Sequence, residues 1–176
     1  MPKVVELCEK YNVILLEDTC ESMGCEYKGK KLGTYGLMST FSTYFGHHIS
    51  TIEGGIITTD DKQIYEMLLS IRSHGWDRDM SDETKKKLQK DWNVSEFNSL
   101  YTFYFSGFNL RSTDLQAFIG VNQIDKLDDW GLKRQDNFYR YQDKIKNDYW
   151  KPKTADDSLT SNFAYPIVHK KRDKIV

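Results

Sequence analysis

The sequence predicts an α/β fold, in which helices alternate with strands of a mainly parallel sheet. A short helix with Pro2 in its first turn precedes the apolar run at residues 13–16, and such an unbroken run is typical of a strand buried on both faces. A second strand at residues 56–59 is followed by a helix whose apolar positions recur at steps of three and four. Because parallel strands need crossover connections, this alternation favours the α/β class.

The remaining segments predict smaller elements. Residues 27–30 (Tyr-Lys-Gly-Lys) predict a turn between two short extended pieces, and the β-branched and aromatic run at 40–45 predicts another strand. The charged stretch at 77–98 is expected to be an exposed excursion with one helical turn around 85–88. Two helices are expected after Thr113, and a strand is expected over residues 163–168.

The composition excludes several classes of partner. The 176 residues contain 25 basic and 26 acidic side chains, so neither nucleic acid nor an anionic membrane is expected to bind. No apolar run approaches the roughly 18 residues of a membrane-spanning helix. The three cysteines have no C-x-x-C spacing, which favours a reducing cytoplasm. Because the first predicted strand has no earlier partner and the last ends near residue 176, we expect a fragment that lacks sequence at both ends.

Four motifs occur in order along the chain. They are Glu-Asp-Thr-Cys-Glu-Ser-Met-Gly at 17–24, Ser-Thr-Tyr-Phe-Gly-His-His at 42–48, Glu-Gly-Gly at 53–55, and Gly-Phe-Asn-Leu-Arg at 107–111 followed by Asp-Leu-Gln-Ala and Ile-Gly. Together they resemble the DegT/StrS family of pyridoxal-phosphate sugar aminotransferases over nearly the whole chain. The resemblance implies an aspartate-aminotransferase-like (fold type I) architecture. Residues 1–128 would belong to the large cofactor-binding domain, and residues 129–176 would form a connecting helix and the start of the small C-terminal domain.

The resemblance also implies the residues that bind the cofactor. Asp18 matches the acid beside the pyridine nitrogen, and a carboxylate there keeps that nitrogen protonated so that the ring accepts electrons. Glu21 matches a polar position near the ring hydroxyl, and Ser42 matches a phosphate-contacting serine. Asn109 matches an asparagine that reaches the phosphate from the neighbouring subunit, so the active site is expected to be shared within a homodimer.

The position of His47 indicates which reaction is expected. In the family's aminotransferases, the residue six before the glutamate of Glu-Gly-Gly is a lysine that captures the cofactor covalently. Here that glutamate is Glu53, and position 47 is a histidine. Imidazole cannot form the covalent link, but it can take and give a proton near neutral pH. The replacement resembles the 3-dehydratases of deoxysugar pathways, in which the histidine is the acid and base and His48 is expected to be structural.

Other residues are expected to contact the substrate. His74, Arg78 and Arg111 match basic positions that approach the sugar nucleotide or the amino donor, and an arginine fork suits phosphate and carboxylate. Surface ion pairing remains an equal alternative for Arg78. Tyr44 is expected to contact the cofactor or relay a proton, with packing as the alternative.

The cysteines separate two branches of these dehydratases. A branch acting on CDP-sugars carries an iron–sulfur cluster on four cysteines; Cys20 matches one ligand, but residues 73–78 contain no cysteine, so we expect no metal. The chain therefore resembles the iron-free branch. Enzymes of that branch remove the C3 hydroxyl from GDP-linked 4-keto-6-deoxymannose on the colitose route and recharge pyridoxamine phosphate with L-glutamate. The alternatives are a catalytically inactive or truncated dimerisation module, a sugar aminotransferase, or a relative of the CDP-sugar enzymes.

Overall fold

The chain divides into two units, which are Met1–Ile57 with Asp114–Val176, and Thr58–Thr113. The structure is a computed structural model that describes residues 1–145 and 150–174. Its elements, in chain order, are α1 (Pro2–Tyr11), β1 (Leu16–Asp18), β2 (Glu26–Tyr27), β3 (Lys30–Lys31), β4 (Met38–Ser42), β5 (Gly55–Thr58), α2 (Lys62–Ile71), α3 (Asp82–Asp91), α4 (Glu96–Ser99), α5 (Asp114–Ile124), α6 (Leu127–Lys144), β6 (Ser158–Leu159) and a 3-10 helix (Arg172–Lys174). The predicted domain boundary at residue 128 falls within α6 and stays a prediction.

A parallel strand pair lies in the first unit, as the α/β class requires. β1 runs parallel to β4, with Leu16 opposite Met38, and β5 joins the other side of β4. The strand predicted at residues 13–16 was placed too early and was wrongly expected to be buried on both faces, since Val13 is 58% and Ile14 69% exposed. The reason is local: the amide of Val13 donates to the carbonyl of Cys8 and closes the end of α1, so the strand begins only at Leu16.

A second sheet in this unit is antiparallel, with the order β3-β2-β6. Lys28 and Gly29 connect β2 to β3 with φ of 51° and 74°, the backbone of a tight hairpin turn, so the predicted turn is confirmed. The sequence did not predict β6. The strand expected at 163–168 was wrong, because Pro166 has no amide to donate and only Val168 forms an isolated bridge, with Trp150.

Two helices of the second unit begin at capping side chains. The predicted helix α2 is confirmed, and Asp61 caps it by accepting hydrogen bonds from the amides of Gln63 and Ile64. The expectation of a single helical turn within residues 77–98 was wrong, because α3 has ten residues and α4 follows it. Ser81 caps α3 and two acids occupy its first turn, and these local signals stabilise a helix that buries none of its residues.

The two helices predicted after Thr113 are confirmed as α5 and α6. Gly131 and Phe138 are the buried residues of α6. Within the described ranges 1–145 and 150–174, no helix has the length and the apolar character that crossing a bilayer requires.

Candidate active site

Two predicted cofactor-binding residues lie at one edge of the parallel sheet. Asp18 is the last residue of β1 and stands opposite Thr40 in β4, two residues before Ser42 ends that strand. Because the strands are parallel, their carboxyl ends share an edge, which is where α/β sheets bind ligands. The hydroxyl of Ser42 accepts from the amide of Tyr44 at 3.2 Å. The sheet register therefore places a carboxylate and a hydroxyl at the same edge.

The Asp18 carboxylate is held by its neighbours. Its Oδ1 accepts from the amide of Cys20 at 3.1 Å and from the hydroxyl of Thr40 at 3.4 Å. Hydrogen bonds from the side chain and then the backbone of Cys20 lower the pKa of Asp18, so this exposed carboxyl stays ionised at neutral pH. The same contact with Asp18 raises the pKa of the Cys20 thiol. Cys20 therefore stays protonated and acts as a neutral neighbour of the carboxylate.

Glu17, beside Asp18, has a structural role that the sequence did not reveal. Its side chain is 7% exposed, and its carboxylate accepts three backbone amides, from Gly33 at 2.8 Å, Tyr35 at 2.6 Å and Gly36 at 2.7 Å. A buried carboxylate is stable when amide donors surround it in this way. Glu17 therefore fixes the connection that enters β4 and, through it, the position of Ser42.

Residues 43–51, here named the histidine loop, carry His47. Thr43 and Thr51 close the base of the loop: the amide of Thr51 donates to the carbonyl of Thr43 at 2.8 Å, and the two hydroxyls lie 2.6 Å apart. Inside the loop, the amide of His47 donates to the carbonyl of Tyr44 at 3.0 Å. These bonds give residue 47 a defined backbone position directly after the sheet edge.

The imidazole of His47 is half-buried and packs between aromatic rings. Its centroid lies 4.8 Å from that of Phe163 and 5.8 Å from that of Tyr44. The Nδ1 atom is buried and has no hydrogen-bond partner among the described residues. Nε2 is the other ring nitrogen, and the ring as a whole is partly accessible. Tyr44 itself is 39% exposed, so it contacts His47 while part of its ring remains accessible.

His48 has the structural role predicted for it. It is 3% exposed, and its Nε2 lies 2.7 Å from the carbonyl oxygen of Ser161, so it donates to that acceptor. Burial lowers the pKa of His48, which keeps the ring neutral. The amide of Ser161 in turn donates to the sulfur of Cys25 at 3.2 Å. Ser161 and Phe163 thus support the two histidines from a segment more than 110 residues away in sequence, which no local motif could have indicated.

Four predicted residues lie in the second unit. The amide of His74 donates to the carbonyl of Phe108 at 2.7 Å, and the ring of His74 lies 5.1 Å from that of Trp76. The guanidinium of Arg78 lies 3.7 Å from the centre of the Trp76 ring, a cation–π contact that orients it. Asn109 follows Phe108 and forms an isolated bridge with Ser73.

Two glycines allow these segments of the second unit to approach so closely. A side chain on Gly75 would place its Cβ 1.8 Å from the carbonyl oxygen of Phe105, and a Cβ on Gly107 would lie 2.2 Å from the amide nitrogen of Gly75. Arg111, beyond this contact, is exposed.

The predicted residues are divided between the two units. In the first unit, Asp18 and Ser42 share the sheet edge and Tyr44 contacts His47. Glu21 is exposed in a turn after β1, and the amide of Ser22 closes that turn by donating to the carbonyl of Thr19. The other four predicted residues, His74, Arg78, Asn109 and Arg111, lie in the second unit. The roles assigned to all these residues stay predictions.

The chain was compared with known proteins. The model of the DegT/DnrJ/EryC1/StrS aminotransferase family matches residues 1–176. The chain belongs to this family. The resemblance predicted from the four motifs is thereby confirmed, and so is the aminotransferase fold, since solved structures of family members superpose on almost the entire chain.

Several of the similar proteins are sugar 3-dehydratases. GDP-4-keto-6-deoxy-D-mannose 3-dehydratase of Escherichia coli O55:H7 is 37% identical over 165 residues, covering 94% of this chain and 42% of that protein. A solved histidine-to-asparagine variant of GDP-4-keto-6-deoxymannose-3-dehydratase with bound GDP-perosamine has a TM-score of 0.78 and 32% identity, covering 97% of this chain and 44% of the other. The same enzyme with a trapped PLP-glutamate geminal diamine has a TM-score of 0.77, 32% identity and the same coverage. The chain spans less than half the length of these relatives.

In the part of the chain that the structure describes, no group of three or more histidine, cysteine, aspartate or glutamate side chains is arranged to hold a metal ion.

Proposed function

We propose that the protein removes the C3 hydroxyl of a nucleotide-linked 4-keto-6-deoxyhexose with the help of pyridoxamine 5'-phosphate, the aminated form of pyridoxal 5'-phosphate (PLP). The observation that carries the proposal is His47, a half-buried imidazole at the position six before Glu53 that packs beside Tyr44 and Phe163. A lysine at this position would favour amino transfer; a histidine favours proton transfer without a covalent tether. The similar 3-dehydratases support the same reaction.

The residues present fit the cofactor. Asp18 supplies an ionised carboxylate for the pyridine nitrogen, and Ser42 supplies a hydroxyl for the phosphate at the same sheet edge. Glu21 would lie toward the ring hydroxyl, and Asn109 of a second copy would complete the phosphate site, so the working form is a homodimer. When bound, the cofactor supplies an amino group for the sugar ketone and a ring that accepts electrons.

The reacting side chain has one task, proton transfer. The imidazole of His47 would take a proton from the bound molecules and return one to the departing hydroxide, which leaves as water. Phe163 and Tyr44 make edge-type contacts with the ring and limit its movement. Because imidazole forms no imine, Asp18 and Ser42 would hold the cofactor through noncovalent contacts.

The basic residues suit a nucleotide sugar. Arg78 is oriented by Trp76 and can offer two parallel N–H donors to a diphosphate, and His74 and Arg111 add positive or hydrogen-bonding groups. A relative binds GDP-perosamine, which supports a GDP-linked substrate, GDP-4-keto-6-deoxymannose, on the colitose route to lipopolysaccharide O-antigen. A PLP-glutamate adduct in the same enzyme supports L-glutamate as the amino donor. The three free cysteines favour the cytoplasm as its location.

The test is the identity of the product. The protein is incubated with PLP, L-glutamate and GDP-4-keto-6-deoxymannose, and the sugar nucleotide is analysed by mass spectrometry. We expect a 3-deoxy-4-keto sugar without nitrogen, and a rate about 10²–10⁴-fold lower for His47→Asn, the usual contribution of a general acid–base. An aminated sugar would show transamination instead, and absence of any product above the His47→Asn background would refute the proposal.

A further inference from the structure

Helix α5 contacts the histidine loop through one side chain, Gln123. Its Oε1 accepts from the amide of Ser50 at 3.0 Å, and its Nε2 donates to the carbonyl of the same residue at 2.6 Å. The second hydrogen of that amide group donates to the carbonyl of Ile119, one turn earlier in α5, at 2.9 Å. Gln123 therefore forms hydrogen bonds with both the amide and the carbonyl of Ser50, which lies three positions after His47.

Only a carboxamide of this length can make both bonds. It presents an acceptor and a donor side by side, whereas a carboxylate cannot donate and an apolar side chain can do neither. The helix lies close enough for this contact because residue 120 is glycine: a Cβ on Gly120 would lie 3.1 Å from Cγ2 of Thr51. The geometry thus depends on two positions of α5, 120 and 123, that face the histidine loop.

The backbone close to Ser50 is strained. Ile52 has a φ of 73°, which is rare and strained for a β-branched residue, and its amide donates to the Oγ of Ser50 at 3.1 Å. Such strain persists only where surrounding contacts hold the chain in place. The bonds from Gln123 to Ser50, together with those between Thr43 and Thr51, provide that support.

We propose that Gln123 is the positioning residue for His47. Between them, His48 is anchored to Ser161 and Ile49 is 3% exposed, so a displacement at Ser50 is passed back to residue 47 through a packed segment. That the positioned ring is the reacting group rests on the proposed function. The placement of the ring itself does not, and it can be measured without cofactor or substrate.

The test uses the ring-proton resonances of His47, which the ring currents of Phe163 and Tyr44 displace from those of a free histidine. They are assigned by their loss in His47→Asn. In Gln123→Glu, and in the apolar Gln123→Met of similar length, we expect these resonances to move toward free-histidine positions while circular dichroism remains that of a folded chain. The dehydration rate should fall with little change in KM.

The matched control is Gln116→Glu in the same helix. Gln116 donates to the carbonyl of Glu53, which lies after the histidine loop, at 2.6 Å. The control should leave the His47 resonances unchanged. Unchanged resonances in both Gln123 variants, or equal movement in the control, would overturn the proposal. If neither variant folds, hydrogen exchange in the unmodified protein tests the contact between Gln123 and Ser50. The Ser50 amide should be protected, and exchange at the rate of an unbonded amide would contradict the proposal. If the unmodified protein does not dehydrate the substrate, but the His47 resonances move only in the Gln123 variants, the proposed reaction is wrong. The positioning role of Gln123 would still hold.

Discussion

Replacing Glu17 by glutamine removes one charge and one acceptor from a buried site and changes almost nothing in size. In the protein, the two carboxylate oxygens accept three backbone amides at 2.6–2.8 Å from the connection that leads into β4. A glutamine can keep its carbonyl oxygen toward two of those amides, but its NH₂ group must then face the amide of Gly33. Two charge-assisted bonds become neutral, and one buried donor loses its acceptor.

The size of the effect follows from these three bonds. Hydrogen bonds to charged groups contribute about 1.5–3 kcal/mol and neutral ones about 0.5–1.5 kcal/mol, so the two weakened bonds cost about 2 kcal/mol together. Leaving the Gly33 amide unsatisfied costs about 1–3 kcal/mol more. The expected loss in the free energy of unfolding is about 3–5 kcal/mol, a large share of the roughly 5–15 kcal/mol that stabilises a typical domain.

The assay is urea unfolding followed by circular dichroism at pH 7. Glu21→Gln is the matched control, because Glu21 is exposed and loses the same charge four residues later; we expect its stability to stay within about 0.5 kcal/mol of the unmodified protein. If Glu17→Gln is also within about 1 kcal/mol of the unmodified protein, the connection is not held by the carboxylate and our account of how Ser42 is placed fails.

Two further predictions concern stability. Burial lowers the pKa of His48, so as the pH falls the unfolded chain takes up a proton before the folded chain does. The contribution of His48 to the free energy of unfolding should be complete above about pH 6.5 and should fall as the pH decreases below it, by up to about 1.4 kcal/mol per pH unit. His48→Gln, which keeps a donor for Ser161, should remove this slope. A slope unchanged in the variant would show that another group causes it. Gly75→Ala should cost several kcal/mol because its Cβ would lie 1.8 Å from the Phe105 carbonyl oxygen, whereas Gly29→Ala, also at positive φ but in open space, should cost only about 1–2 kcal/mol; equal midpoints in thermal unfolding would contradict this.

The sequence predicted those parts of the fold that depend on local patterns. The capped, amphipathic α2 and the turn at Lys28 and Gly29 have short-range causes, so they were found with their correct type. The replacement at His47 followed from a count of residues within one motif.

What the sequence could not predict depends on contacts between distant segments. Gln123 and Ser50 are 73 residues apart, and His48 and Ser161 are 113 apart, so neither pair has a local signature. The burial of Glu17 depends on amide donors from the connection into β4, which lie 16–19 residues away in sequence. The helix α3 was missed for a different reason, because capping and helix propensity stabilised a segment that has no apolar face.

The proposed function requires that residue 47 faces the cofactor and that Asp18 lies beside the pyridine nitrogen of the cofactor. His47→Lys restores a primary amine at that position, so after incubation with PLP and reduction with borohydride, peptide mass spectrometry should find the cofactor attached to residue 47 of the variant. Asp18→Asn in the same background should weaken the labelling, and in the unmodified protein the peptide containing His47 should carry no label. If residue 47 of the variant remains unmodified while it is folded and other lysines react, the imidazole does not face the cofactor and the proposed chemistry is wrong.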